Sequence, residues 1–462
     1  MPVGFHMRTV AVIAASVVAC VSAGCGAINL AEDECAGPEV PPAAPGLSPI
    51  AKALHFLQHT QLITDVRDRK KTDWEGDWPQ CFARDRNGPY IRDVSPFSPT
   101  FIHHALSLIN EANADALGLS QADVDAAREM RLRAVQFIRR FAVDPPCPDA
   151  GTFGFWPHAP RSWKPGDLSL ARAMDRRLEG PQFMGVLAPL NVSFYPRDFR
   201  IPTDADVTAN VYAALLDHQT LDGGEPVDVA FEDHLIEWRD LGQVPQRNVQ
   251  PWLPDESGAF LTWLAYHDDP SMPNLNDVDL VVNANVLYAL GRYRRLDVPG
   301  ADEAVALINT AIESGAHLAD PNRVSLYYPD NLTIHHAVLR AWDEGAVKAL
   351  TPAAERLVQD LLDTVSVDEL GQAFWDRGDP HLNTALAALA LLSTAEHSDL
   401  VDAAVAYLES QQDPIFGGWD LAVFFVGRMD NGAEVLWVSS ALTTAFALEA
   451  IARNELVRAA AG

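Results

Sequence analysis

The chain has 462 residues, with 34 Lys and Arg against 63 Asp and Glu, a formal net charge of −29, and 48% hydrophobic residues. A surface this acidic repels phosphate backbones and anionic lipid, which argues against nucleic-acid partners. It is not in itself a sign of metal binding, because acidic surfaces usually serve solubility.

Arg8 supplies a short positive region, Val10 to Val21 is apolar, and small residues lead into Cys20 and Cys25. That is the pattern of a lipoprotein-type secretory signal peptide over residues 1–24. Cys25 lies at the better distance from the start and is the expected lipidation site; Cys20 is the alternative. An uncleaved anchor competes with this, since Val10 to Ile28 approaches the ~20 residues that a spanning helix needs. Either way the expected location is exported, in the cell envelope and held at a membrane. Of the later cysteines, Cys35, Cys81 and Cys147, an oxidising compartment permits one disulfide and leaves one thiol. None has zinc-site spacing. Residues 25–48 are rich in Pro, Ala and acid without any period, as a flexible tether is.

Beyond Leu47 apolar residues recur with a helical period over 49–60, 98–110, 127–142, 204–218, 280–294, 301–317, 331–343, 352–365, 380–393, 399–411 and 434–453, and more weakly over 258–267. Strand-like alternation is scarce. Two recurrences stand out. A helix leads to a Gly-x-Trp turn three times: Ala51–Gln58 to Gly76-Asp77-Trp78, Leu132–Ile138 to Gly154-Phe155-Trp156, and Ala403–Gln412 to Gly417-Gly418-Trp419. Asp-led helices rich in Ala begin at Asp204, Asp277 and Asp379. The first kind is polar on one face; the second is apolar nearly all round, as a doubly buried helix must be. The expectation is one all-α domain over 49–455, an (α/α)6 toroid or barrel of about six helical hairpins around a central chamber.

The Ala-x-x-Phe/Tyr-Leu…Gln…Gly-x-Trp pattern at 51–78 and 403–419, and more loosely at 132–156, resembles the QW repeat of squalene and oxidosqualene cyclases. These belong to the terpenoid cyclase and protein prenyltransferase superfamily of α/α toroids. The resemblance covers most of 49–453 as a repeat pattern and implies that Gln and Trp brace helix ends. One local match goes further. Class II terpene cyclases carry Asp-x-Asp-Asp-Thr-Ala at an inner helix start, and Asp204-Ala205-Asp206-Val207-Thr208-Ala209 is similar to it, with Val207 replacing the third Asp. The resemblance implies that Asp206 is the proton donor, Asp204 its neighbour and Thr208 part of the motif, in acid-initiated isoprenoid cyclisation or isomerisation. It implies no cofactor. Trp252, Trp263, Tyr288, Trp375, Trp419, Phe424 and Trp437 are the candidate rings lining an apolar chamber, where their faces would stabilise a carbocation.

Other assignments stay open beside it. Asp and Thr before an apolar helix are ordinary N-caps, and Asp204, Asp206, Asp277 and Asp279 all sit where caps belong. The histidine pairs 103–104 and 335–336 chelate metal only if they meet across the chamber, since adjacent helical residues diverge; no metal is expected. No cysteine follows Cys147 to complete a prenyltransferase zinc set, and the thioester Cys-Gly-Glu-Gln is absent. Tyr327-Tyr328-Pro329-Asp330, ahead of the 331–343 helix, is read first as ordinary packing, with a place at the chamber rim as the alternative. A glycan hydrolase or lyase using Asp206 with Asp279, or Asp376 with Asp379, is one alternative. A non-catalytic toroid that binds a lipid, glycan or protein is the other. The expected partners are a hydrophobic small molecule or glycan in the chamber, and a membrane through the N-terminal lipid.

Overall fold

The computed structural model describes residues 38–64, 66–67, 72–83, 90–143, 150–155, 202–225, 231–242, 256–264, 276–328, 332–394, 396–428 and 434–461. All lie in one compact unit, Cys35–Gly462. The protein is mostly helical. Eleven longer helices are α1 (Pro49–Thr60), α2 (Phe97–Ser107), α3 (Gln121–Ile138), α4 (Ala205–Asp222), α5 (Leu280–Arg292), α6 (Ala301–Glu313), α7 (Thr333–Asp343), α8 (Thr351–Thr364), α9 (Pro380–Leu392), α10 (Ser398–Gln411) and α11 (Ser440–Ala461). Among the described residues no helix is long and apolar enough to cross a membrane.

Burial divides the helices as their composition does. In α5 every residue from Leu280 to Leu290 is buried, and in α9 the same holds from Leu382 to Leu391. By contrast α6 buries Ala301, Ala304, Leu307, Ile308, Ala311 and Ile312 and turns its acids outward. The buried helices pack in sequence, α2 on α4, α4 on α5, α5 on α7, α7 on α9, α9 on α11, and α11 back on α2. Outside this cycle α3, α6, α8, α10 and α1 pack against its members. Alanine and glycine allow the close approach. A Cβ at Gly291 on α5 would lie 1.9 Å from the Gly345 carbonyl oxygen beyond α7, and backbone cannot yield as a side chain can. Gly291→Ala is therefore expected to cost about 1–3 kcal/mol in chemical denaturation; an unchanged midpoint would mean that the two helix ends separate freely.

The turns after outer helices recur in their bonding. The Trp78 indole donates to the Leu57 carbonyl at 2.8 Å, Trp375 to Leu361 at 3.0 Å and Trp419 to Leu408 at 3.0 Å, each satisfying a carbonyl at its own helix's C-terminus. Gln61 donates to Gly76 and to Met130 of α3, and Gln412 to Gly417 and to Pro49 of α1, so each turn is tied to the next outer helix. Glycine is required twice over here. Gly76 and Gly417 have φ of +93° and +84°, and a Cβ would strike the carbonyls of Arg133 and Lys52 at 2.2 and 2.4 Å.

Two expectations from the sequence are corrected. Residues 256–264 form bends and isolated bridges, not a helix. The stretch 434–453 is a strand followed by a helix, and it belongs to an antiparallel sheet: β1 (Gln80–Ala83), β2 (Ile91–Asp93), β3 (Val423–Arg428) and β4 (Glu434–Val438), ordered β2-β1-β4-β3. Cys81 faces Val438 and Phe82 faces Trp437 in the ladder. Strands this short carry too few alternations to register as a period, and their partners lie at opposite ends of the chain. Cys81 is disulfide-bonded, with its partner outside the described residues.

Candidate active site

Asp204 is the N-cap of α4: its Oδ1 accepts from the Val207 amide at 2.6 Å, while its Oδ2 has no hydrogen-bond partner among the described residues. Burial, then the adjacent Asp206, hold its carboxyl well above the usual range, against the pull of the Val207 amide. Thr208 accepts from the Phe153 amide at 3.1 Å. The same bond recurs on three other inner helices, Asn283 of α5 accepting from Phe260, Thr384 of α9 from Trp375 and Thr444 of α11 from Trp419. Thr208 is thus a member of a repeated brace between an inner helix and the preceding turn.

Asp206 is different. It lies in the first turn of α4, buried, and both of its oxygens are engaged by side chains, two of them from other elements. Oδ1 accepts from Asn210 Nδ2 at 2.9 Å and from Asn285 Nδ2 of α5 at 2.7 Å; the Tyr328 hydroxyl donates to Oδ2 at 2.5 Å. Burial pushes the carboxyl upward, opposed by Tyr328, Asn285, Arg340 and Asn210. Arg340 of α7 is 3% exposed and touches Asp206 only through the amides, donating to Asn285 Oδ1 at 2.7 Å and Asn210 Oδ1 at 3.2 Å. Its guanidinium lies over the rings of Tyr288 and Phe101, at 4.2 and 5.2 Å from their centroids.

Tyr328 joins this polar group to an aromatic cluster. Its ring meets Phe97, Phe424 and Phe425 at 6.3, 5.7 and 6.5 Å. Phe424 continues to Phe101 and Phe446, and Phe425 stacks on Trp437 at 4.7 Å. The sheet explains this: β3 and β4 carry Phe424, Phe425 and Trp437 on to the N-terminal end of α2 and the residues ahead of α7.

Of the candidate rings, Phe424 and Trp437 fall in this cluster, and the Trp437 indole donates to Asp93 at 2.7 Å. Trp263 pairs with Asp204 through a backbone bridge and donates to the Tyr327 hydroxyl at 3.0 Å. Tyr288 reaches the site through Arg340. Trp375 and Trp419 are engaged at helix-end carbonyls, and among the described residues neither makes a ring contact with the cluster. Trp252, Cys25, Pro329 and Asp330 lie outside the described residues. The sequence does not single out Asn285, Arg340 or Tyr328 as partners of the acid; only Asn210, one turn after Asp206, carries a local signal.

Asp277 and Asp279 sit beside the site. The Thr262 and Tyr327 hydroxyls donate to Asp277. Asp279 caps α5, accepting from Val281 and Val282 at 2.8 and 3.1 Å, and it also accepts from Ser325 and the Leu326 amide. Burial and Asp277 raise it to about 7. A carboxyl raised by folding stabilises most when protonated, so its contribution is complete below about 4 and is lost as pH climbs through about 7. The stability deficit of Asp279→Asn against wild type should therefore shrink across that window, by up to about 4 kcal/mol. Urea midpoints at both ends check this; a deficit that grows with pH would contradict it.

Further along the inner helices lies a second polar group. His104 of α2, Asp217 of α4, Arg292 of α5, Glu344 beyond α7, and Glu449 and Arg453 of α11 pair with one another, with Arg453–Glu344 at 2.6 Å and Arg292–Asp217 at 2.6 Å. Ligand atoms of His104, Glu344 and Glu449 converge within 4.8 Å, but the Arg453 guanidinium bonds both carboxylates there. Burial lowers His336, whose ring packs edge-on against Phe446. His335 instead lies near His317, so of the two histidine pairs only His104 and His336 act on each other.

No protein-family model matches the chain, and no curated protein matches it. Among solved structures, the type II terpene cyclase MstE from Scytonema without ligand superposes with a TM-score of 0.49 and 14% identity, covering 88% of this chain and 97% of that one. A variant of MstE in complex with the substrate geranylgeranyl dihydroxybenzoate gives the same figures. A protein from Actinoplanes superposes at 0.47 with 15% identity, covering 88% and 98%.

Proposed function

We propose that the chain is an acid-initiated isoprenoid cyclase or isomerase on an (α/α)6 toroid, with Asp206 as the proton donor. The carrying observation is the surroundings of Asp206: a buried carboxyl held by two amides and a phenol, with that phenol packed into a cluster of Phe97, Phe424 and Phe425. The closed cycle of inner helices supports the toroid. A protonated Asp206 adds its proton to a terminal alkene carbon of a bound polyprenyl chain, leaving a tertiary cation. Ring faces stabilise that cation without offering a lone pair to trap it. Internal double bonds then close on it, and loss of a proton ends the reaction. Asp204, a second carboxyl that burial holds above the usual range, stands beside the donor.

Turnover of linear polyprenyl compounds in D2O tests this. One solvent deuterium per product molecule, with mass otherwise unchanged, is the expected result; conversion without deuterium, or none with any chain length, sinks the proposal. We also place the protein in the envelope, tethered through Cys25 and residues 25–48. The signal pattern supports this, as does the bonded Cys81, since disulfides persist in oxidising compartments. Loss of membrane association in Cys25→Ser is the check.

A further inference from the structure

We propose that Arg340 is a positioning residue that fixes which oxygen of Asp206 carries the proton, acting through Asn210 and Asn285 without touching the carboxyl. This rests on the assignment of Asp206 as the acid. A guanidinium only donates. With Arg340 Nη2 directed at both amide oxygens, Asn210 and Asn285 must turn their NH2 groups the other way, and both reach Asp206 Oδ1. An oxygen accepting two N–H bonds has no room for a proton of its own. The proton therefore resides on Oδ2, beside the Tyr328 hydroxyl and the aromatic cluster. Arg340 itself cannot swing away, being covered by the rings of Tyr288 and Phe101.

The arrangement draws on three inner helices, with Asn210 on α4, Asn285 on α5 and Arg340 on α7, so it requires their register to be right. The other ionisable groups facing the carboxyl are Tyr328 ahead of α7, Asp204 at the start of α4 and Asp279 at the start of α5. The two acids oppose a charge on Asp206. The phenol favours it only as a hydrogen-bond donor, and Arg340 is the cation that favours it through space. Removing Arg340 frees both amides to rotate and withdraws that cation.

Infrared difference titration of the full chain tests this without any substrate. The protonated carboxyl band of Asp206 is the one missing from Asp206→Asn. In Arg340→Met its midpoint is expected to rise by about one pH unit or more. Arg340→Lys, still a donor-only cation, should return most of the way to wild type. Asn285→Leu, which removes one Oδ1 donor and leaves Arg340 in place, should also raise the midpoint and keeps the test alive if Arg340→Met does not fold. Equal midpoints in wild type and Asn285→Leu, or in Arg340→Met and wild type, overturn the role of Arg340. The deuterium test stands apart from it: turnover with deuterium but no midpoint change discards Arg340 and keeps the acid.

Discussion

Asp206→Asn is expected to lower conversion of a polyprenyl substrate by about 10²–10⁴-fold, the usual worth of a positioned general acid, while the protein stays folded. Asparagine has the same shape, and its amide oxygen can still accept from Asn210 and Asn285, where Asp206 Oδ1 now does. Its NH2 then faces Tyr328 in place of Oδ2, and the phenol oxygen accepts where its hydroxyl formerly donated. What disappears is the ionisable proton. Asp204→Asn should cost less, because its Oδ1 is occupied in capping α4 and the proposed donor is Asp206. The comparison is a product assay alongside thermal unfolding. If Asp204→Asn were the more damaging of the two at equal stability, the roles of the carboxyls would have to be exchanged.

Trp419→Ala is expected to lose about 3–5 kcal/mol of stability, the range for a buried aromatic truncated to alanine. The indole is 3% exposed, and its N–H satisfies the Leu408 carbonyl at the end of α10. Its own amide is held by Thr444 of α11, and the neighbouring Gln412 bonds Pro49 of α1. One ring thus stands where the last outer helix meets the first. Trp419→Phe keeps most of the packing and drops one hydrogen bond, so about 1 kcal/mol is expected, rising somewhat for the carbonyl left unpaired. Urea denaturation separates the two. Equal losses in both variants would assign the effect to the hydrogen bond; a Trp419→Ala loss below about 1 kcal/mol would show that the turn is not a brace at all.

Both predictions concern residues that the sequence singles out, and the contrast between them marks how far the sequence reaches. Trp78, Trp375 and Trp419 share a local geometry because each bonds a carbonyl of the helix just before it, between 11 and 21 residues away. Such contacts leave a local order, helix then turn then Trp, that recurs even though the spacing varies. The partners of Asp206 leave none: Asn285, Tyr328 and, through the amides, Arg340 stand 79, 122 and 130 residues from the atoms they bond in α4. The same holds for β1 and β4, paired across the length of the domain.

Helical period, the all-round apolar helices, the Gly-x-Trp turns and the caps at Asp204 and Asp279 are determined by the sequence, since each follows from steric and hydrogen-bonding rules acting within a few turns of backbone. Which capping-like carboxylate becomes chemically distinct is decided only in the tertiary structure. As helix caps Asp204, Asp206 and Asp279 look alike along the chain, and only the resemblance to the Asp-x-Asp-Asp-Thr-Ala motif picks out Asp206. They part company when inner helices from distant segments close on one another and bring the Asn285 amide, a phenol and a buried guanidinium to Asp206 and its helix neighbour Asn210.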